Sequence, residues 1–183
     1  VVVGGGVGQI TAIQANVRNR ASVAEALIGA DGAVNLVGIL YKSRKQRFDA
    51  IHAEGAGTIA AEAARAGVAR LAHVSAIGAS AEADSAYFRS NAAGEAATLA
   101  AFPTATIHRP SIQFGPEDRF FNRFAGMATL SPVLPVVGPN TKFQPVYVGD
   151  VAEALVRSLE GAATPGATYE LGGPEMKTFR ECL

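Results

Sequence analysis

Tyr87-Phe88-Arg89-Ser90-Asn91 continues into Ala92-Ala93-Gly94-Glu95, and the first and fifth residues of this run are the pair whose types and spacing bear on proton chemistry. Residues four apart on a helix lie one turn apart on the same face. A lysine in that relation to a tyrosine lowers the phenol's pKa, because the ammonium stabilises the phenolate. At an effective dielectric near 20 and a separation near 4 Å, such a cation contributes about 4 kcal/mol. Position 91 is asparagine, which can hold a hydroxyl group but carries no charge. Tyr87 is therefore expected near the ordinary phenol pKa of about 10, protonated and a poor base.

The elements that must position this pair alternate regularly. Ala33-Val34-Asn35-Leu36-Val37 reads as a strand that breaks at Gly38. An alanine-rich helix follows over 48–66 and stops at Gly67, a natural C-terminal cap. Residues 71–75 form the next strand, 87–101 the helix carrying Tyr87 and Asn91, and 104–109 a strand closed by Pro110. Earlier, residues 21–27 form a helix with Ser22 as its cap. Later, 120–127 reads as a helix with a heavy apolar face, 144–148 as a short strand and 151–159 as a helix opened by Gly149-Asp150. Strand and helix alternating at this spacing predict an α/β fold, a doubly wound parallel sheet with helices on both faces.

The beginning of the chain breaks this rhythm. Val1-Val2-Val3 followed by Gly4-Gly5-Gly6-Val7-Gly8 reads as a buried strand ending in a glycine turn. Free amides at such a turn and the following helix N-terminus attract phosphate. A parallel neighbour needs a crossover of a dozen or more residues, yet Ile10-Thr11-Ala12-Ile13-Gln14-Ala15 begins another strand almost at once. The expectation is a gap between Gly4 and Ile10, where about 40 to 50 residues, a strand and two helices, are missing.

Composition narrows the partners. The 183 residues hold 16 basic and 16 acidic side chains, so there is no electrostatic case for nucleic acid or an anionic bilayer. One cysteine, Cys182, permits no internal disulfide and suits a reducing compartment. No run of about 18 apolar residues is present to span a membrane. His52, His73 and His108 are too scattered for a metal site, and core or surface positions suit each better.

Several segments, in order, carry a resemblance: Asn16-Val17-Arg18, Asn35-Leu36-Val37-Gly38, His73-Val74-Ser75-Ala76, Tyr87, Arg109-Pro110-Ser111, and Gln144-Pro145-Val146-Tyr147-Val148-Gly149-Asp150-Val151. The chain resembles an extended or atypical short-chain dehydrogenase/reductase. The run from Phe114-Gly115-Pro116 through Phe120-Phe121-Asn122-Arg123-Phe124, with the later Gln-Pro-Val-Tyr-Val, is similar to the nucleotide-binding accessory subunits of respiratory complex I. The resemblance implies one NAD(P)-binding Rossmann domain over 1–183, with a small C-terminal lobe formed mainly by 112–148 and 161–183. It implies a tightly held NADPH with little or no turnover, and a peripheral place among the other complex I subunits near the membrane and the quinone site. That place is the matrix side of the mitochondrial inner membrane or the cytoplasmic face of a bacterial one. NAD stays open as the cofactor, because the choice rests on residues after a second strand that falls in the expected gap.

Residue by residue, the resemblance implies that Gly4, Gly5 and Gly6 form the pyrophosphate turn and that Asn16 and Val17 contact adenine. Leu36, Val37 and Gly38 pass the ribose and nicotinamide, and Pro110, Ser111 and Ile112 flank the nicotinamide. Ser75 ends the strand that usually supplies an active-site hydroxyl, but that hydroxyl normally comes slightly later, at Ala76 or Ile77 here. Tyr87 fits the family pattern, whereas Asn91 stands where its lysine would be and hold the ribose. The site is then degenerate, with no catalytic residue.

Two rival expectations follow: an active NAD(P)-dependent reductase or epimerase in which ribose and water replace the lysine, and a cofactor-sensing regulator. Lys42-Ser43-Arg44-Lys45-Gln46-Arg47 is a solvated loop or a contact for phosphate or an acidic partner. Phe120, Phe121, Phe124 and Met127, at helical spacing and preceded by Phe114, are expected mainly to be buried, with an interface as the alternative.

Overall fold

Residues 6, 8–41, 47–130 and 136–183 are described by a computed structural model. In chain order they form α1 (Arg20–Ala26), β1 (Gly32–Asn35), a π-helical turn (Asp49–Ala53) running into α2 (Glu54–Arg65), β2 (Arg70–Val74), α3 (Ala86–Ala101) and β3 (Thr106–Pro110). Then come β4 (Gln113–Phe114), α4 (Phe121–Ala128), β5 (Lys142–Phe143), β6 (Val146–Tyr147), α5 (Val148–Glu160), β7 (Thr168–Leu171), β8 (Lys177–Thr178) and α6 (Phe179–Cys182).

Four strands build one sheet in the order β1-β2-β3-β7, and every pair is parallel. The register aligns Asn35 with His73, Val74 with His108 and Pro110 with Leu171, so the carboxyl ends share one edge. Successive side chains of a strand point to opposite faces. Leu71 accordingly packs with Ala60, Ala63 and Phe102 on the α2/α3 side, while Ala72 packs with Val151 and Leu155 of α5 on the other. The sheet is thus covered on both sides, as the alternation predicts for a Rossmann-like fold.

The helix ends have local causes. Ser85 caps α3, its side chain accepting from the Tyr87 amide. Gly67, at φ 73°, takes the left-handed turn that releases the chain from α2. For α1 the cap is Asn19 rather than Ser22: the Asn19 side-chain Oδ1 accepts from the amides of Ala21 and Ser22. Ser22 lies inside the helix, where its hydroxyl accepts from the Asn16 amide at 3.0 Å.

Three expectations need correction. Residues 10–15 form no strand; they run exposed and irregular, because no neighbour among the described residues offers them a ladder. The phenylalanines expected to be buried on α4 are not core: α4 has no buried residue, and in the small lobe it is Phe179 that is buried. Instead Phe120, Phe124, Phe143 and Phe179 pack on one another, with Phe120–Phe124 centroids at 5.4 Å and Phe120–Phe179 at 5.6 Å. Edge-on and tilted rings shield each other here. Residues 168–171 join the main sheet as β7, while the lobe's own pairings are β4 with β6 and β5 with β8. Val1, Val2, Val3, Gly4 and Gly5, the basic residues 42–46 and the proline-rich stretch 131–135 lie outside the described residues.

Candidate functional site

The start of α3 sets the centre of the site. Tyr87 meets the rings of Phe48, His52 and Phe88 edge-on at 5.8, 5.5 and 5.4 Å. Burial pushes its pKa above the ordinary phenol value, and a side-chain hydrogen bond from Asn91 opposes that rise. The phenolate is therefore harder to form than the sequence suggests, since desolvation penalises the charged form. Asn91 is only 7% exposed, and its amide nitrogen donates to the Tyr87 carbonyl at 2.9 Å.

α3 reaches this position through a close crossing. A Cβ on Gly94 would stand 2.1 Å from the His52 carbonyl oxygen, so only glycine lets α3 lie against the π-helical turn. That turn aims His52 into the site. Its Nε2 accepts the Ile39 amide at 2.9 Å, and its Nδ1 lies 2.9 Å from Ser90 Oγ, whose own proton goes to the Tyr87 carbonyl. Nδ1 is therefore the donor and the ring is neutral; burial also lowers its pKa.

A second neutral histidine lies beneath. Asn35 Oδ1 accepts the Val37 amide at 3.0 Å, which orients the amide so that Nδ2 donates to His73 Nδ1 at 2.9 Å. Burial lowers the His73 pKa to about 4. The Asn35 bond ends β1 and folds Leu36, Val37 and Gly38 across the carboxyl edge. Glu95, one turn beyond Asn91, is buried and accepts Ser75 Oγ at 2.5 Å, Arg109 Nε at 2.8 Å and Arg109 Nη2 at 2.6 Å. The Ser75 proton is thus committed to Glu95 and anchors β2 to α3 and β3, a supporting rather than a reacting role.

Two adjoining cavities open at the carboxyl edge. The smaller, about 190 Å³, gathers Leu36, Val37, Gly38, Ser75, Tyr87 and Asn91. The larger, about 830 Å³, is bordered by Ser75 and Tyr87 again, with Pro110, Ser111 and Ile112. Gly6, Asn16 and Val17 border neither cavity. Gly6 sits in a turn in which its amide donates to the Gln9 side chain; Asn16 Oδ1 accepts from Arg18, and Val17 packs against Gly55. The smaller cavity suits the ribosyl-nicotinamide end of a dinucleotide. It offers hydroxyl and amide donors beside an apolar strip, and a Cβ on Gly38 would meet nothing nearer than His52 Nε2 at 3.7 Å. Gly4 and Gly5, expected at the pyrophosphate, lie outside the described residues.

Sequence reasoning missed the supports: His52, Ser90, Glu95 and Arg109. The spacing of Tyr87, Asn91 and Glu95 at i, i+4 and i+8 put Glu95 on the site face, and its charge on an alanine-rich helix was the available signal. Among the described residues no group of three potential metal ligands comes together.

Comparison with known proteins agrees with this geometry. A family model described as NAD(P)H-binding matches residues 6–106. The chain is 40% identical over 182 residues to the Arabidopsis thaliana protein named NADH dehydrogenase [ubiquinone] 1 alpha subcomplex subunit 9, mitochondrial, covering 97% of this chain and 45% of that protein. It is 35% identical over 177 residues to the Neurospora crassa NADH-ubiquinone oxidoreductase 40 kDa subunit, mitochondrial, covering 97% and 46%. The chain thus spans about half the length of these relatives. The crystal structure of dTDP-glucose 4,6-dehydratase from Streptomyces venezuelae with NAD superposes with a TM-score of 0.76 at 22% identity, covering 91% of this chain and 59% of that one; it shares the fold. The match over residues 6–106 and the cavity at the strand ends converge on one conclusion: this chain belongs to the NAD(P)H-binding family.

Proposed function

We propose that this chain is the nucleotide-binding part of an accessory subunit of respiratory complex I, in which NADPH is a structural ligand and no turnover takes place at Tyr87. The observation that carries this reading is the neutral pair Tyr87–Asn91: burial raises the phenol's pKa, while the cavity around it stays open. A site that keeps its cofactor wall and lacks its charged helper suits holding a nucleotide better than reacting with it. Similarity over 97% of the chain to complex I subunits of a plant and a fungus supports the assembly. Among the described residues no helix is long and apolar enough to cross a membrane; the attachment proposed for this part is peripheral, through protein contacts. Its place is the matrix side of the mitochondrial inner membrane, or the cytoplasmic face in a bacterium. The aromatic lobe over 114–127 and the stretch over 131–145 form the docking surface.

A bound dinucleotide stabilises the fold by RT ln(1 + [L]/Kd), about 4 kcal/mol at a thousandfold excess over Kd, and so preserves that surface without chemistry. Gly38→Glu, which places a carboxylate in the smaller cavity, tests the reading in the full-length protein within its complex. The expected result is loss of bound NADPH and less assembled complex, with unchanged turnover in the complexes that do form. Normal assembly of the nucleotide-free variant overturns it. The second reading, an active NAD(P)-dependent reductase or epimerase, is favoured by the larger cavity beside Tyr87; carbonyl reduction by the unmodified protein at an enzyme-like rate would establish it.

A further inference from the structure

The larger cavity differs in character from the smaller one. At about 830 Å³ it is in the range that accommodates drug-sized molecules. Its wall is made by Ile77, Phe88, Ile112, Phe120, Phe143 and Val148. The wall is held in place by backbone bonds: Ile77 N donates to Pro110 O at 3.1 Å, Ser111 N to Leu171 O at 2.9 Å and Val146 N to Ile112 O at 3.0 Å. A preformed apolar hollow of this size is a ligand site or an interaction surface rather than a packing defect.

The charge of the described lining disfavours one class of occupant. Arg119 is the sole cation of the described lining, and Glu117 and Asp118 stand beside it. Asp118 Oδ1 also accepts the amides of Phe121 and Asn122 at 2.6 and 3.4 Å, fixing its negative charge at the start of α4. Against the described lining, a phosphate or carboxylate would meet more negative than positive charge in an apolar setting, which is unfavourable. The polar groups lie instead where the two cavities join, at Tyr87, Ser75 and Gln113. Ser75 is committed to Glu95, which leaves Tyr87 and Gln113 to meet a polar head. Burial keeps the Tyr87 proton in place, so its hydroxyl can donate to a neutral oxygen.

We propose that the larger cavity binds an uncharged molecule with a long apolar tail and a single hydrogen-bonding head, a long-chain alcohol, ketone or amide. The tail lies along Ile77, Phe120, Phe143 and Val148, and the head meets Tyr87 and Gln113 at the junction. Dinucleotide binding in the smaller cavity is a separate property, and this inference stands without it.

The test is calorimetric titration of the full-length protein with primary alcohols from hexanol to dodecanol, and with dodecyl phosphate as the charged counterpart. NADPH affinity is measured on the same samples. Burying each added methylene should tighten binding about fourfold, and dodecyl phosphate should bind at least tenfold more weakly than dodecanol. Ile77→Asp should weaken dodecanol at least tenfold and leave NADPH affinity unchanged. Should that variant fail to fold, Ile77→Trp decides, because filling the wall must make the gain level off at a shorter chain. Affinity independent of chain length, tighter binding of the phosphate, or an Ile77→Trp series identical to the unmodified protein's overturns the proposal. Loss of NADPH binding with the alcohol series intact would instead count against the nucleotide reading alone.

Discussion

Replacing Gly94 by alanine should separate the helix that carries Tyr87 from the turn that carries His52. The added methyl would lie 2.1 Å from the His52 carbonyl oxygen and 3.0 Å from its carbon, where ordinary contact begins at 3.4 Å. The obstacle is backbone, so no rotamer relieves it and α3 must move away by about an ångström. Overpacking of this kind costs typically 1–3 kcal/mol and occasionally more, and the shift also disturbs the 2.9 Å contact between His52 and Ser90. Against this stands the propensity gain of alanine over glycine in a helix, about 1 kcal/mol. A 2.1 Å approach to backbone lies at the upper end of the overpacking range, so the net expectation is a loss of about 2 kcal/mol. Gly126 in α4 supplies the control, because a Cβ there meets nothing within 4 Å. Gly126→Ala should be stabilising by up to about 1 kcal/mol, leaving a difference of about 3 kcal/mol between two chemically identical substitutions. Urea unfolding of the full-length proteins measures it, and in a thermal melt each kcal/mol should move Tm by about 2–4 °C. If Gly94→Ala unfolds within 1 kcal/mol of Gly126→Ala, the crossing does not need its glycine and this account of how α3 is placed fails.

His73 predicts a pH dependence. Its folded pKa is about 4 against an ordinary 6.5, so in that window the unfolded chain binds a proton that the folded one refuses. Stability is full above pH 6.5 and falls as the pH drops toward 4, by up to about 1.4 kcal/mol per unit; His52 and His108, also lowered by burial, act in the same direction. Urea unfolding of His73→Gln should show a shallower slope there, and an unaltered slope would remove His73 as its source. Asn91→Lys should lower the Tyr87 pKa, read as tyrosinate absorbance against pH, yet should give no carbonyl reduction at an enzyme-like rate, because Ala76 and Ile77 offer no hydroxyl and Ser75 donates to Glu95. Robust turnover by that variant would show that one charge was all the site lacked.

What the sequence reveals about this molecule follows the range of the interactions involved. The strand at 70–74, the helix that Gly67 ends, the helix carrying Tyr87 and the parallel sheet arrangement rest on apolar period and local caps, which a single chain displays. Ser22 misled because a serine before an apolar run is a cap only if nothing nearer competes, and Asn19 holds the two amides first. The strand expected over 10–15 failed for a different reason: β-branched residues favour extended backbone, but a strand exists only where a second strand accepts its hydrogen bonds. β7 was overlooked for the converse reason, since its four residues gain their identity from β3, paired across more than fifty positions of chain.

The site divides along the same line. Tyr87 and Asn91 share a helical face that the numbering displays, and their neutrality is legible in the sequence. The residues that surround them come from distant parts of the chain. His52 comes within reach because a glycine 42 positions later, Gly94, admits its carbonyl, and Ser75 is claimed by a glutamate 20 residues away. Neither relation has a sequence period. Both nevertheless bear on chemistry more directly than the visible pair does: an open Ser75 hydroxyl beside Tyr87 would have kept a proton path available, whereas its bond to Glu95 closes that path and binds β2, α3 and β3 into one rigid wall. On the proposed reading, the bond that withholds the Ser75 proton also firms the wall, which suits a nucleotide held for structure.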